Sequence, residues 1–223
     1  MHDSDAATIG EVLVWQATHH PDKRVFLFLD RGEREAESYT YAELHRRAVA
    51  IAQVLQERDL RGRRVVLAYP SCLEFIGALF GCFYAGAIAV PAPVANYRNS
   101  LTRIRTILRD AEAAALMSPR SFMFQEAEGQ SGIAALQIPD VLSIVSDEIA
   151  NSGVCRLQQP EPGELALLQY TSGSTGSPRG VMLTHANLMH NQRVLSLATK
   201  SHEEDIGVSW LPFFHDMGLM GGV

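Results

Sequence analysis

The sequence predicts an α/β fold, a doubly wound and mostly parallel sheet with helices on both faces. Short apolar segments typical of buried strands alternate along the chain with segments of helical periodicity. Capping patterns stand in front of two of the predicted helices. One long uncharged stretch fits a buried helix followed by a buried strand. Right-handed crossovers between such strands place helices on both faces of one sheet.

The first predicted helix begins at Thr40-Tyr-Ala-Glu43, a capping box, and runs to about Glu57. Its buried face carries Leu44, Ala48, Ile51 and Leu55. A short apolar strand follows at residues 64–69. Ser71-Cys-Leu-Glu74 has the pattern of a second capping box and predicts the start of the next helix.

The uncharged stretch covers the 21 residues from Phe75 to Ala95 and is long enough to cross a bilayer. Three glycines and a Val-Pro-Ala-Pro sequence interrupt it, and proline cannot continue a helix. We therefore expect a buried helix that ends near Gly86 and a strand at residues 87–90, and no stable membrane insertion.

The remaining elements alternate in the same way. The predicted helices are Ser100–Arg109, with Arg103, Arg105 and Arg109 on a solvated face, and a helix capped by Thr184 that ends near Thr199. The predicted strands are 113–117, 141–146, 164–170, 181–183 and 206–211. Residues 158–163 form a turn-rich joint. The joint suggests a subdivision into residues 1–157 and 164–223.

Composition excludes several classes of protein. The net charge of -6 argues against nucleic-acid binding, which requires clustered Lys and Arg. Cys72, Cys82 and Cys155 fit neither a disulfide framework nor a CxxC pattern, so free thiols are expected. His185 and His190 lack HExxH spacing, which argues against a zinc site. No secretory signal is visible, and a cytoplasmic location is expected.

The ten residues Thr171–Gly180 contain three glycines and five hydroxyl side chains between two predicted strands. Glycines let backbone N–H groups turn toward one point, and hydroxyl groups add further donors. Arg179 adds a permanent positive charge on a planar guanidinium group, which can bind two oxygens at once. The spacing differs from the Walker A loop and from the dinucleotide fingerprint. A phosphate-binding loop is predicted, with a flexible linker as the alternative.

The segment Tyr170–Gly180 resembles the phosphate-binding signature of the adenylate-forming superfamily of acyl-CoA synthetases, peptide-synthetase adenylation domains and luciferases. Arg179 stands where the family usually has lysine, which keeps the charge but changes the geometry of phosphate contact. The resemblance implies that the chain binds the phosphates of ATP. The implied phosphate-binding residues are Thr171, Ser172, Gly173, Ser174, Thr175, Gly176, Arg179 and Gly180.

A second stretch, Trp210–Leu219, resembles the next core motif of the superfamily, and its His-Asp-Met-Gly form is similar to that of fatty acyl-AMP ligases. Residues 64–97 are similar to the same branch. The resemblance implies an acyl substrate pocket beside His215, Asp216, Met217 and Gly218. The alternatives are a structural role for His215 and, for Asp216, capping of the turn toward Gly218.

The implied reaction uses ATP and Mg²⁺ to convert a fatty acid to acyl-adenylate and pyrophosphate. The acyl group then passes to a phosphopantetheinylated acyl carrier protein or to a polyketide or peptide synthetase, as in polyketide or lipopeptide biosynthesis. An acyl-CoA ligase, an amino-acid-activating domain and a non-catalytic nucleotide-binding module remain open as alternatives.

The family's domain is longer than this chain, so residues 1–223 are expected to be an incomplete N-terminal AMP-binding domain, inactive alone. Neither Lys23 nor Lys200 matches the family's catalytic lysine. No complete catalytic set is expected within the chain, and metal ligands cannot be assigned.

Overall fold

The structure, a computed structural model, describes residues 6–94, 97–124, 132–136, 138–151, 156–171 and 179–222. The strands are β1 Arg24–Asp30, β2 Arg34–Thr40, β3 Arg64–Ala68, β4 Ile88–Ala92, β5 Ala115–Ser118, β6 Leu142–Val145, β7 Leu165–Thr171 and β8 Arg179–Thr184. The α-helices are α1 Ile9–His19, α2 Tyr41–Glu57, α3 Leu73–Ala85, α4 Tyr97–Asp110, α5 Arg120–Met123, α6 His185–Thr199 and α7 Asp216–Gly222. Two 3₁₀ helices are Ile133–Leu136 and Ser146–Glu148.

Six strands form one sheet in the order β6-β5-β3-β4-β7-β8. Every neighbouring pair is parallel except β7 and β8, which are antiparallel. β1 and β2 form a separate antiparallel pair. The predicted α/β class with a mostly parallel sheet is confirmed.

Alternate residues of the central strands enter two different hydrophobic clusters. In β3, Val65 and Leu67 pack with α2 and α3, whereas Val66 and Ala68 pack with α4 on the opposite face. All four are fully buried. This follows from the two-residue period of side chains along a strand. The predicted arrangement of helices on both faces is therefore confirmed.

Two helix starts follow local sequence rules. Thr40 and Glu43 form a capping box at the start of α2, as predicted. Thr184 caps α6 as predicted and completes a capping box with Asn187. Each cap satisfies backbone N–H groups that have no partner inside the helix.

The capping box predicted at Ser71–Glu74 is wrong. The N-cap of α3 is Cys72, which forms no side-chain capping hydrogen bond. Glu74 instead receives two hydrogen bonds from Arg47 of α2. A carboxylate is stabilised more by a buried guanidinium than by a cap at a helix end open to water.

The uncharged stretch folds as predicted into a helix and a strand. α3 ends at Ala85, and Gly86 adopts a left-handed conformation with φ 65° that closes the helix. β4 follows and is buried along its whole length. Within the described parts of the chain, no helix is long and apolar enough to span a membrane.

The strand predicted at residues 206–211 is wrong. This segment pairs with no strand among the described residues, and Ile206, Val208 and Trp210 face solvent, whereas Leu211 is half-buried. Ile206 and Trp210 are each 89% exposed. Alternating apolar residues become a strand only when a neighbouring strand satisfies their backbone groups.

The two described cysteines are free thiols, Cys72 half-buried and Cys82 buried, and Cys155 lies outside the described residues. Burial raises the pKa of Cys72 to about 11 and that of Cys82 to about 12. Both thiols are therefore protonated at neutral pH and behave as small apolar side chains.

Arg47 joins α2 to α3 and to the segment that follows β6, and it is only 5% exposed. Its Nε and Nη2 atoms donate to the Glu74 carboxylate at 2.9 and 2.5 Å. The same guanidinium donates to the backbone oxygens of Ser146 and Ile149 and to Oδ1 of Asn151. One side chain thus connects both helices with the segment that follows β6.

Two glycines let α3 lie very close to α2. A Cβ added at Gly81 would lie 2.5 Å from Cγ2 of Ile51, and one added at Gly77 would lie 2.7 Å from Cγ of Arg47. Neither distance is possible unless the Ile51 and Arg47 side chains or the helices shift. The spacing of four residues places both glycines on one face of α3.

We expect Gly81→Ala to lower the free energy of unfolding by about 1–3 kcal/mol because the new methyl group overpacks the contact with Ile51. Without crowding, replacing glycine by alanine inside a helix would raise the free energy of unfolding by about 1 kcal/mol. A lower free energy of unfolding in Gly81→Ala would therefore come from the crowded contact. Chemical denaturation measures it. Gly221→Ala is the matched control, because Gly221 also lies in a helix and no atom lies within 4 Å of the added Cβ. Equal stability of the two variants would contradict a tight contact between α2 and α3.

Candidate functional site

The ends of the Gly/Ser/Thr segment lie where β7 and β8 meet. Thr171 pairs with Arg179 and Tyr170 with Gly180 in an antiparallel ladder. β7 is parallel to β4, so Thr171 lies at the carboxyl end of the parallel strands, the edge at which open α/β sheets usually bind ligands. Thr171, Arg179 and Gly180 are exposed there.

The other predicted phosphate-binding residues lie outside the described residues. These residues are Ser172, Gly173, Ser174, Thr175 and Gly176.

Tyr170 fixes the end of β7 from the face that carries α4. Its side chain is buried, and its hydroxyl donates to Oδ2 of Asp110 at 2.5 Å. Burial, together with the hydrogen bond to Asp110, raises the pKa of Tyr170 well above its ordinary value, so the hydroxyl stays protonated and remains a donor. A Cβ at Gly180 would lie 3.2 Å from the Tyr170 ring, so a glycine at this position lets β8 lie against the ring.

The second predicted motif folds as a turn that leads into α7. The backbone N–H of His215 donates to the oxygen of Pro212, and the N–H of Leu219 donates to the oxygen of His215. Phe213 stacks on Phe75 of α3 with ring centroids 5.5 Å apart. Leu219 is buried in the core. Apolar contacts on both sides of the turn therefore hold it against α3.

The polar side chains of this motif face solvent. Nδ1 of His215 lies 2.7 Å from Oδ1 of Asp216, and both side chains are 59% exposed. Oδ1 of Asp216 also accepts from the backbone N–H of Met217, and Met217 is exposed. A Cβ at Gly218 would lie 2.2 Å from the oxygen of Pro212, so only glycine fits there. The structure thus brings His215 and Asp216 together on an open surface.

Gln169 connects the two motifs. It is 5% exposed, and its Nε2 donates to the backbone oxygen of Phe214 at 2.8 Å. Sequence reasoning missed both Gln169 and Asp110. Gln169 carries a signal, because it is a polar residue within an otherwise apolar strand. Asp110 carries no such signal, because a carboxylate at the end of an amphipathic helix is normally predicted to face water.

The two histidines of α6 differ in exposure. His185 is buried against the ring of Phe83 at 5.7 Å, and burial lowers its pKa, whereas His190 is exposed. In the portion of the chain that the structure describes, no three His, Cys, Asp or Glu side chains gather as a possible metal site.

Comparison with known proteins identifies the class. The chain belongs to the family of AMP-binding enzymes, whose family model matches residues 13–223. Its relatives include the medium-chain-fatty-acid–[acyl-carrier-protein] ligase JamA of Moorena producens, which is 38% identical across the whole chain. The long-chain-fatty-acid–AMP ligase FadD32 of Mycolicibacterium smegmatis is 36% identical over 89% of the chain.

A solved structure shows the same fold. The fatty acid AMP ligase from Legionella pneumophila superposes with a TM-score of 0.87 at 31% identity, over 99% of this chain. The chain spans 38% of the length of that protein and of JamA, and 32% of FadD32. The predicted resemblance to the N-terminal part of fatty acyl-AMP ligases is confirmed.

Proposed function

We propose that this chain is the N-terminal part of a fatty acyl-AMP ligase. A carboxylate oxygen of the fatty acid bonds to the α-phosphorus of ATP, and the bond from that phosphorus to the bridging oxygen breaks. The products are acyl-adenylate and pyrophosphate. Negative charge on the phosphoryl oxygens and on the leaving group makes positioned donors the main protein contribution to such a reaction.

The observation that carries the proposal is the ladder between β7 and β8. It holds Thr171 and Arg179 opposite each other at the carboxyl edge of the sheet. Hydrogen bonds hold both faces of β7 in place. Tyr170 is bonded to Asp110 of α4 on one face, and Gln169 is bonded to Phe214 of the His215 motif on the other. A loop whose two ends are held by such hydrogen bonds can present converging donors to phosphate oxygens, whereas a flexible linker needs no such support.

We assign the roles as follows. The pyrophosphate end of ATP is bound by Thr171, Ser172, Gly173, Ser174, Thr175, Gly176, Arg179 and Gly180. The acyl end is bordered by His215, Asp216, Met217 and Gly218. The exposed His215–Asp216 pair offers polar groups near the reacting carboxylate. The Mg²⁺ ligands stay unassigned, because Mg²⁺ usually takes only one or two carboxylates together with phosphate oxygens.

The second half-reaction passes the acyl group to a carrier. The phosphopantetheine sulfur of an acyl carrier protein, or of a polyketide or peptide synthetase, attacks the acyl carbon, and AMP leaves as the thiol loses its proton. The support is that JamA and a Teredinibacter turnerae relative, TtuA, are named acyl-carrier-protein ligases. Transfer to coenzyme A, or activation of an amino acid, would make the protein a sister enzyme.

We further propose that residues 1–223 are part of a larger AMP-binding domain and are inactive alone, since the chain spans only 38% of JamA. The subdivision at residues 158–163 stays a prediction. β7 and β8, which follow this joint, belong to the same sheet as β3–β6. The cytoplasmic location also stays a prediction.

ATP–pyrophosphate exchange tests the proposal. We expect the full-length protein to incorporate labelled pyrophosphate into ATP only when a fatty acid is present, and residues 1–223 alone to give no exchange. A folded full-length protein that gives no exchange with fatty acids of any length would contradict the proposal. Exchange with amino acids instead, or acyl transfer to coenzyme A rather than to a carrier protein, would identify a sister enzyme.

A further inference from the structure

The side chain of Gln169 is unusual in its position. Residues 166–170 of β7 are all buried, and Gln169 is the polar amide among them, next to apolar neighbours and Tyr170. Burying an amide costs free energy unless it is hydrogen-bonded, and an aliphatic side chain would fill the same volume at no such cost. The amide is therefore expected to have a specific task.

The hydrogen bond of Gln169 spans 45 residues of sequence. Its donor lies two residues before Thr171, where the phosphate loop begins. Its acceptor, the backbone oxygen of Phe214, lies one residue before His215. Oε1 of the amide is buried and has no hydrogen-bond partner among the described residues. The side chain thus works through its N–H group, because only a donor can bind the Phe214 oxygen.

The turn at residues 212–215 has few other polar restraints. The preceding segment, residues 206–210, is exposed and unpaired in the described structure. Stacking of Phe213 on Phe75 and burial of Leu219 hold the turn by non-directional contacts. The Gln169 hydrogen bond is directional, so it can fix both the distance of the turn from β7 and the orientation of the turn.

We propose that Gln169 is a positioning residue that sets the distance between Thr171, at the end of β7, and the His215 motif. The inference rests on the proposed function, in which one motif holds ATP and the other borders the acyl carboxylate. In-line attack requires the carboxylate and the α-phosphorus to be placed within a fraction of an ångström, and misplacement by about 1 Å costs about 100-fold in rate. Gln169 contacts neither reactant in this proposal and acts through the backbone of Phe214.

The kinetic test uses the full-length protein and two substitutions. We expect Gln169→Leu to lower kcat of fatty-acid-dependent pyrophosphate exchange by about 10- to 100-fold, with little change in KM for ATP or in Tm. Gln169→Glu should retain activity at low pH, where the buried acid is protonated and donates to Phe214, and lose it as the pH rises. An ionised buried Glu would also destabilise the fold, so Tm is measured at each pH. A purely structural role predicts that activity and Tm fall together, whereas a positioning role predicts loss of activity while Tm is largely kept.

Gln192→Leu is the matched control. Nε2 of Gln192 donates to the backbone oxygen of Met220 at 3.1 Å, so this variant also removes an amide–carbonyl hydrogen bond between two segments. It leaves the connection between β7 and Phe214 intact. We expect wild-type kcat for this variant.

Hydrogen exchange provides a readout that does not depend on activity. Gln169→Leu should speed amide exchange at His215 and Leu219, whose N–H groups are hydrogen-bonded in the turn and at the start of α7, and Gln192→Leu should leave His215 protected as in the wild type. Wild-type kcat together with unchanged exchange in Gln169→Leu would overturn the inference. A wild-type protein without pyrophosphate exchange would contradict the proposed function alone, since the hydrogen-exchange comparison still tests the connection.

Discussion

Replacing Arg47 with methionine is expected to lower the free energy of unfolding by about 3–5 kcal/mol, the range observed when one partner of a buried ion pair is removed. Methionine fills much of the volume but leaves the Glu74 carboxylate, 18% exposed, without its guanidinium. The backbone oxygen of Ile149 loses its Arg47 donor as well, whereas that of Ser146 keeps the backbone N–H of Ile149. Buried acceptors without a donor add a desolvation cost of their own.

Chemical denaturation of Arg47→Met measures this effect. Arg34→Met is the control, because Arg34 pairs with Asp30 in an exposed ion pair, and such pairs contribute about 0–1 kcal/mol. The double variant Arg47→Met/Glu74→Leu should be more stable than Arg47→Met, since it removes the unpaired charge. If Arg47→Met and Arg34→Met cost the same free energy, the Arg47 network contributes nothing beyond an ordinary surface pair.

Replacing Arg179 with alanine is expected to reduce fatty-acid-dependent pyrophosphate exchange by about 10²–10³-fold in the full-length protein, comparable to the loss of one preorganised donor from an anion site. Arg179 is exposed at the start of β8, opposite Thr171, so its removal leaves no cavity in the core. The loss should therefore fall on catalysis and leave Tm unchanged.

Arg179→Lys separates charge from geometry. Lysine restores the residue usual in the adenylate-forming superfamily and keeps the charge, but it cannot hold two oxygens with one planar group. We expect it to recover most of the exchange activity. Arg34→Ala, at the exposed β1–β2 pair, controls for the loss of a surface charge and should retain full activity. Wild-type activity in Arg179→Ala would remove Arg179 from the phosphate site.

The elements predicted correctly are those that local rules determine. The caps at Thr40 and Thr184 depend on contacts within four residues, and the end of α3 at Gly86 depends on one left-handed residue. The predictions that failed depend on distant partners. Glu74 is bound by Arg47 from another helix, and residues 206–211 have no described strand to pair with.

The candidate site likewise has one part that the sequence predicts and another part that depends on distant contacts. The composition of residues 171–180 indicates phosphate chemistry, and the resemblance extends it to ATP. What supports the loop could not be predicted, because Tyr170 is hydrogen-bonded to Asp110 across 60 residues and Gln169 to Phe214 across 45. Neither pairing has a periodicity or a spacing that sequence reasoning could detect. Both are created by the packing of α4 and of the residue 212–215 turn against opposite faces of β7.

The alternation of Gln169 and Tyr170 along β7 constrains how the length of the chain can vary. Tyr170 faces α4 and Gln169 the other face, so inserting or deleting one residue within β7 would exchange the two directions and break both hydrogen bonds at once. The exposed segment at residues 201–210 carries no such restriction. Insertions and deletions among related chains should therefore occur mainly after α6. The number of residues from the start of β7 to the phosphate loop should stay constant.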